Sequence, residues 1–201
     1  MMVTVVVQAG GESHRMGRNK ALVPFLGRPL IERVINRVRP LADELLVTTN
    51  QLQAFEFIGY PLISDVLPGK GALGGLYTAL YAASSPMVAV VACDMPFVSP
   101  TLLKAEIDLL NDLDADVVIP SSQEGLEPFH SVYRRKTCLS AIRTAIDADQ
   151  KRIISWFPAV RVRVMTPEEV VIYDPTQHAF LNINTKDELA QAEQIAIAIQ
   201  N

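Results

Sequence analysis

Apolar and polar positions follow two periods along this chain, and the switches between them mark its elements. Val3–Ala9 is a continuous apolar run with four valines, the pattern of a strand buried on both faces. A polar, glycine-rich stretch follows, Gly10–Asn19. Pro29 then opens a helix whose apolar residues Leu30, Ile31, Val34, Ile35 and Val38 recur every third or fourth position. Glu44–Thr49 and Tyr60–Ser64 read as strands, Gly74–Ser84 as a helix, and Met87–Ala92 as another fully apolar strand. Pro100 starts a helix running to about Asn111, and Asp116–Pro120 is a further strand. Beyond it the period weakens: Phe129–Tyr133 and Val160–Met165 are strands, with a helix over Arg135–Asp147 and a helical turn at Ile153–Phe157. The last helix is introduced by a capping box, Thr185 with Glu188, and Leu189, Ala192, Ile195, Ala196 and Ile199 form one apolar face.

Strands that alternate with helices and are themselves apolar predict an α/β, Rossmann-like fold. Its sheet is mostly parallel and twisted, with helices on both faces. The 201 residues fit a single domain over 1–201. In such sheets ligands bind beyond the carboxyl ends of the strands, so the residues just after each strand carry the interest.

Composition narrows the chemistry. Apolar residues make up 49% and charged residues 20%, an ordinary globular balance, and the net charge is −4. No basic run is present, so nucleic acid is not an expected partner. No apolar run reaches membrane-spanning length, so no membrane is expected either, and the cytoplasm is the expected location. Cys93 and Cys138 make neither a disulfide framework nor a metal-ligand spacing, and both read as buried apolar residues. Trp156 reads as core.

Three segments sit where a ligand belongs. The first is Gly10-Gly11-Glu12-Ser13-His14-Arg15-Met16-Gly17-Arg18-Asn19-Lys20, directly after the first strand. Its glycines let backbone N–H groups turn toward an anion, and Arg15 and Lys20 add cations that suit triphosphate oxygens. The spacing matches neither the dinucleotide fingerprint nor the P-loop, and a plain turn with solvated basic residues fits these residues as well. The second is Asp94, in Cys93-Asp94-Met95-Pro96 after the apolar strand. It is either a carboxylate for a hard cation such as Mg²⁺ or a turn former ahead of proline. The third is Asp65 with the glycine-rich Gly69–Gly75, where Gly74 and its neighbours allow a flat base to approach the backbone or merely start a helix.

The combination Q-A-G-G-x-S-x-R-M-G-x-x-K, G-x-L-G-G-L, C-D-M-P and N-I-N-T resembles the molybdenum cofactor guanylyltransferase family, from Val3 to about Glu193. The resemblance implies transfer of GMP from GTP to a molybdopterin-type cofactor, with Mg²⁺ as the metal and pyrophosphate as the leaving group. It places Gln8, Ala9 and Gly10 beside the base and ribose and Thr48 and Asp65 on the nucleoside side, and it counts Gly11 and Gly74 among the nucleotide-binding residues. It further implies that Lys20 and Arg15 hold phosphates, that Asp94 holds Mg²⁺, and that His130, Asn182 and Asn184 face the acceptor. Transient contact with cofactor-delivering proteins is part of the same expectation. Two positions depart from the pattern: Gln8 stands where leucine is common, and Thr48 where asparagine is expected. His14, His130 and His178 show no ligand spacing of their own. A cytidylyltransferase for the same pterin, a sugar-phosphate nucleotidyltransferase and a non-catalytic nucleotide-binding regulator are the alternatives.

Overall fold

The computed structural model describes residues 2–10 and 19–200. Its strands are β1 (Val3–Gln8), β2 (Pro24–Phe25), β3 (Arg28–Pro29), β4 (Glu44–Thr48), β5 (Leu62–Ile63), β6 (Met87–Ala92), β7 (Val117–Ser122), β8 (Gly125–Leu126), β9 (His130–Arg134) and β10 (Val162–Met165). The helices are α1 (Leu30–Val38), α2 (Leu52–Phe55), α3 (Gly71–Ala82), α4 (Pro100–Asp112), α5 (Arg135–Asp147), α6 (Pro167–Tyr173) and α7 (Lys186–Gln200).

The main sheet has the order β10-β7-β9-β6-β1-β4-β5, with β8 paired to β7, and β2 and β3 form a separate ribbon. β1 lies in its interior, parallel to β4 on one side and to β6 on the other. Val5, Val6 and Val7 are fully buried there. A buried valine contributes about 1.5–3 kcal/mol, so this strand has one stable place, and its end is a fixed reference for the site. Odd-numbered residues Val3, Val5 and Val7 pack with α1 and α4 on one face, and Val6 packs with α3 and α5 on the other. Helices therefore cover both faces, as the apolar strands require. A smaller cluster, Phe25, Leu30, Phe97, Ile183, Ala192 and Ala196, docks α7 onto the β2–β3 ribbon.

The parallel rule is broken at one central place. β9 runs antiparallel to both β6 and β7, entering through the tight β8–β9 connection rather than a helical crossover. Other differences are local. α3 begins at Gly71 rather than Gly74, and β5 is shorter than expected, at two residues. α6 lies in a stretch with no clear helical period: its Thr166–Glu169 capping box and Pro167 start it, while Val171 and Ile172 are exposed. Cys93, Cys138 and Trp156 are buried as expected, and the Trp156 indole donates to the Ile153 carbonyl at 2.8 Å. Burial pushes the Cys138 thiol up to about 12, so it is an inert core residue.

Candidate active site

The parallel register brings four strand ends to one edge. Gln8 pairs with Thr48 of β4 and with Ala92 of β6, and Thr48 pairs with Ile63 of β5. Backbone bonds extend this alignment past the strands, from Ala9 N to Thr48 O at 2.8 Å and from Cys93 N to Gln8 O at 3.0 Å. Asp65 and Asp94, far apart in sequence, thus emerge along one rim of the sheet.

Lys20 sits in a single helical turn, Lys20–Leu22, capped by Asn19, whose side-chain oxygen accepts from Ala21 N at 3.0 Å. The Asn19 amide also donates to Gln51 just past β4, at 3.0 Å. The Lys20 ammonium donates to Asn184 Oδ1 at 2.5 Å and stands 3.5 Å from Asp94 Oδ2. Asn184 is held in turn by the capping box of α7: its N–H and that of Thr185 both donate to Glu188, at 2.6 and 2.8 Å. Ile183 N donates to the Asp94 carbonyl at 3.0 Å, which stitches this C-terminal segment to the β6–α4 loop. Three segments of the chain therefore meet at one ammonium.

The Asp94 side chain is one-fifth exposed. Burial lifts its carboxyl above the ordinary range, and the Lys20 ammonium and a backbone N–H pull only partly against that. A carboxylate so desolvated gains from a cation. Among the described residues no cluster of three or more histidine, cysteine or acidic side chains forms a metal cage. A single hard oxygen donor beside a lysine instead suits a cation that completes its shell with ligand oxygens and water, as Mg²⁺ does.

On the other side of β1, Asp65 is locked to Asn50. The Asn50 amide donates to Asp65 Oδ2 at 2.8 Å, and Asp65 N donates back to Asn50 Oδ1 at 2.9 Å. The sequence pattern alone does not single out Asn50; its signal is an asparagine directly past a buried strand. Thr48 is 3% exposed and lies within the sheet, and an asparagine, Asn50, follows two residues later. Gly74 is required sterically, because a Cβ there would lie 2.7 Å from Lys70 Cβ and 3.1 Å from the Leu67 carbonyl. Gln8 packs against the first turns of α3, with its Oε1 3.4 Å from where a Gly75 Cβ would stand, and its buried Nε2 has no partner among the described residues.

Ala9 is buried beneath the rim, Gly10 is exposed at it, and Gly11 and Arg15 lie outside the described residues. Asn182 is exposed two residues before Asn184. His130 is not brought together with this group. It is fully buried between β9 and α4, where Nδ1 lies 2.8 Å from Glu106 Oε1 and Nε2 accepts from Ser99 N at 3.3 Å. Both ring nitrogens are engaged in the core, leaving none for an acceptor. Two shallow, open depressions lie elsewhere, one lined by Val3, Met87 and Ile107 and one by residues of α4 with Tyr173. Neither is lined by Lys20 or Asp94.

A family model described as the MobA-like NTP transferase domain matches residues 5–162. A molybdenum cofactor guanylyltransferase from Desulfosudis oleivorans is 34% identical over 194 residues, 95% of this chain and 94% of that one. A probable molybdenum cofactor guanylyltransferase from Chloroflexus aggregans is 35% identical over 195 residues, 94% of this chain and 92% of that one. Among solved structures, molybdopterin-guanine dinucleotide biosynthesis protein A from Archaeoglobus fulgidus is similar with a TM-score of 0.84 and 27% identity, covering 97% of this chain and 99% of that one.

Proposed function

The chain belongs to the molybdenum cofactor guanylyltransferase family of MobA-like NTP transferases, and we propose that it transfers GMP from GTP to a molybdopterin-type cofactor. A phosphate oxygen of the acceptor attacks the α-phosphorus of GTP, the bond from that phosphorus to the bridging oxygen breaks, and pyrophosphate leaves. The observation that carries this reading is the convergence of Lys20, Asp94 and Asn184 at the ends of β1 and β6.

Such a transfer needs positioning and charge neutralisation rather than a nucleophilic side chain. Lys20 places a cation where the leaving phosphates carry charge, and Asn184 orients that ammonium. Asp94 is the side chain that would hold a divalent cation, which the family's chemistry uses and which we read as Mg²⁺. When bound, such a cation neutralises phosphate charge and lowers the cost of bond breaking. Asn50 keeps Asp65 aimed along the rim on the nucleoside side, and Gln8, Ala9, Gly10 and Gly74 form the floor against which the nucleoside lies. Gly11 and Arg15 complete the phosphate loop in this reading, and Asn182 faces the acceptor. No described helix is long and apolar enough to cross a membrane, and the two buried free thiols suit a reducing compartment, which supports a cytoplasmic location.

The experiment is a competition. The protein is incubated with the pterin cofactor, Mg²⁺ and equal GTP, CTP and ATP, and the products are identified by mass. The GMP adduct is expected to dominate. A dominant CMP adduct would overturn the guanylyl assignment, and no nucleotide adduct at all would overturn transfer itself.

A further inference from the structure

The loop from β6 to α4 carries Asp94 and is buried where most loops are wet: Met95, Pro96, Phe97 and Val98 are all shielded from solvent. Its backbone polar groups have no sheet ladder to join, so they must find partners inside the protein. Side chains from two other elements supply them. Arg33 Nε of α1 donates to the Pro96 carbonyl at 2.8 Å, and Arg37 Nε, one helical turn further on, donates to the Val98 carbonyl at 2.7 Å. From the opposite side, Ser99 N donates to His130 Nε2 at 3.3 Å. A backbone N–H only donates, so Nε2 carries the lone pair and the ring proton sits on Nδ1, facing Glu106.

The grip is directional. The Arg33 guanidinium carbon lies 5.0 and 5.4 Å from the ring centres of Phe25 and Phe97, two rings set edge to face, which confines its position. Burial also pulls both guanidinium groups below their ordinary range, a cost that a surface arginine does not carry. Three contacts, on residues 96, 98 and 99, hold a short loop in translation and in rotation. Above it, the Asp94 carboxylate must meet Lys20 and its backbone carbonyl must meet Ile183.

We propose that Arg33, Arg37 and His130 are positioning residues that set the Asp94 carboxylate in register with Lys20 and Asn184. The inference rests on the reading of Asp94 as the cation-holding carboxylate, and it extends the functional unit to a helix whose side chains do not reach the rim. A small displacement of a metal-holding group is costly to function, whereas the same displacement costs the fold little. Lysine does not replace either arginine, since a flexible point charge does not reproduce the planar donor geometry that meets each loop carbonyl.

The test is equilibrium binding of GTP by titration calorimetry, with and without Mg²⁺, for the wild type and for Arg33→Lys, Arg37→Lys and Arg33→Ala. Each protein is measured below its own thermal midpoint; the lysine variants keep the charge and stem, so they remain informative if Arg33→Ala does not fold. Positioning predicts that the gain in GTP affinity on adding Mg²⁺ falls by about fivefold or more in the lysine variants, while metal-free affinity stays within about twofold. A merely structural role would lower both affinities together or only the thermal midpoint, and either result overturns the proposal, as does an unchanged Mg²⁺ gain. A wild type with no Mg²⁺-dependent gain would instead overturn the role of Asp94 itself, and the positioning role would fall with it.

Discussion

Replacing Lys20 with alanine removes two contacts at once, and their sum sets the expected loss. The first is a charge-assisted hydrogen bond to Asn184 at 2.5 Å. Bonds of this kind contribute about 1.5–3 kcal/mol, and partial exposure, 22% for the lysine side chain, places this one near about 1.5 kcal/mol. The second is the pair with Asp94 at 3.5 Å, longer and open on one side, which adds about 0.5 kcal/mol. The total is about 2 kcal/mol, and at about 2–4 °C per kcal/mol for a chain of this size the midpoint should fall by about 4–8 °C. The deficit should also depend on pH. Lys20 lowers the Asp94 pKa against the burial that raises it, so in the variant the folded-state pKa rises further. A group whose folded pKa is raised contributes stability below its unfolded pKa and loses it as pH rises through the folded pKa. The difference between the two proteins is therefore expected to widen as pH rises through the raised folded-state pKa of Asp94. Thermal melts from pH 4 to pH 8 measure this directly, and turnover should fall alongside, with Lys20→Arg recovering little of it. A variant that melts like the wild type at every pH and still releases pyrophosphate at the normal rate would refute the assignment of Lys20 to the site.

Asp94→Asn keeps the shape but removes the charge, so turnover should drop by about a hundredfold or more, about 3 kcal/mol, in a pyrophosphate-release assay. Because burial raises the wild-type carboxyl, the asparagine variant without nucleotide should be no less stable and should lack the loss of stability that accompanies Asp94 ionisation as pH rises; a less stable variant in urea melts contradicts this. Asn50→Ala releases Asp65 from its two hydrogen bonds and is expected to raise the KM for GTP about tenfold with kcat little changed, and an unchanged KM would confine the Asn50–Asp65 pair to a structural role. Glu106, raised to about 7 mainly by burial and opposed by His130, contributes stability that is complete below about pH 4.5 and lost as pH rises through about 7. Glu106→Gln keeps the acceptor for His130 Nδ1 and should therefore match the wild type at pH 5 and exceed it at pH 8; equal chemical-denaturation curves at both values would refute this.

Local pattern was enough wherever an element buries its own side chains. The valine run of β1, the apolar β6 and the helix over Arg135–Asp147 can be read without any partner, because strand and helix periods are properties of neighbouring residues. The carboxyl-end rule then pointed to Lys20, Asp65 and Asp94 past strand ends that share one rim, since a parallel sheet aligns its strand ends whatever lies between them. The antiparallel entry of β9 was not legible. Its apolar run fits either direction, and direction depends on whether the connection returns by a hairpin or by a helix. The placement of His130 depends on that same reversal, which turns its ring toward Glu106 in the core instead of toward the rim. The bond from Lys20 to Asn184 spans 164 positions, and the contacts from Arg33 and Arg37 to the Asp94 loop span 63 and 61. Nothing in the local spacing of those residues encodes such partners. They are chosen when the packed faces of α1 and α7 fix where each long side chain ends, and a polar group buried at that point binds whichever partner the packing has brought within reach.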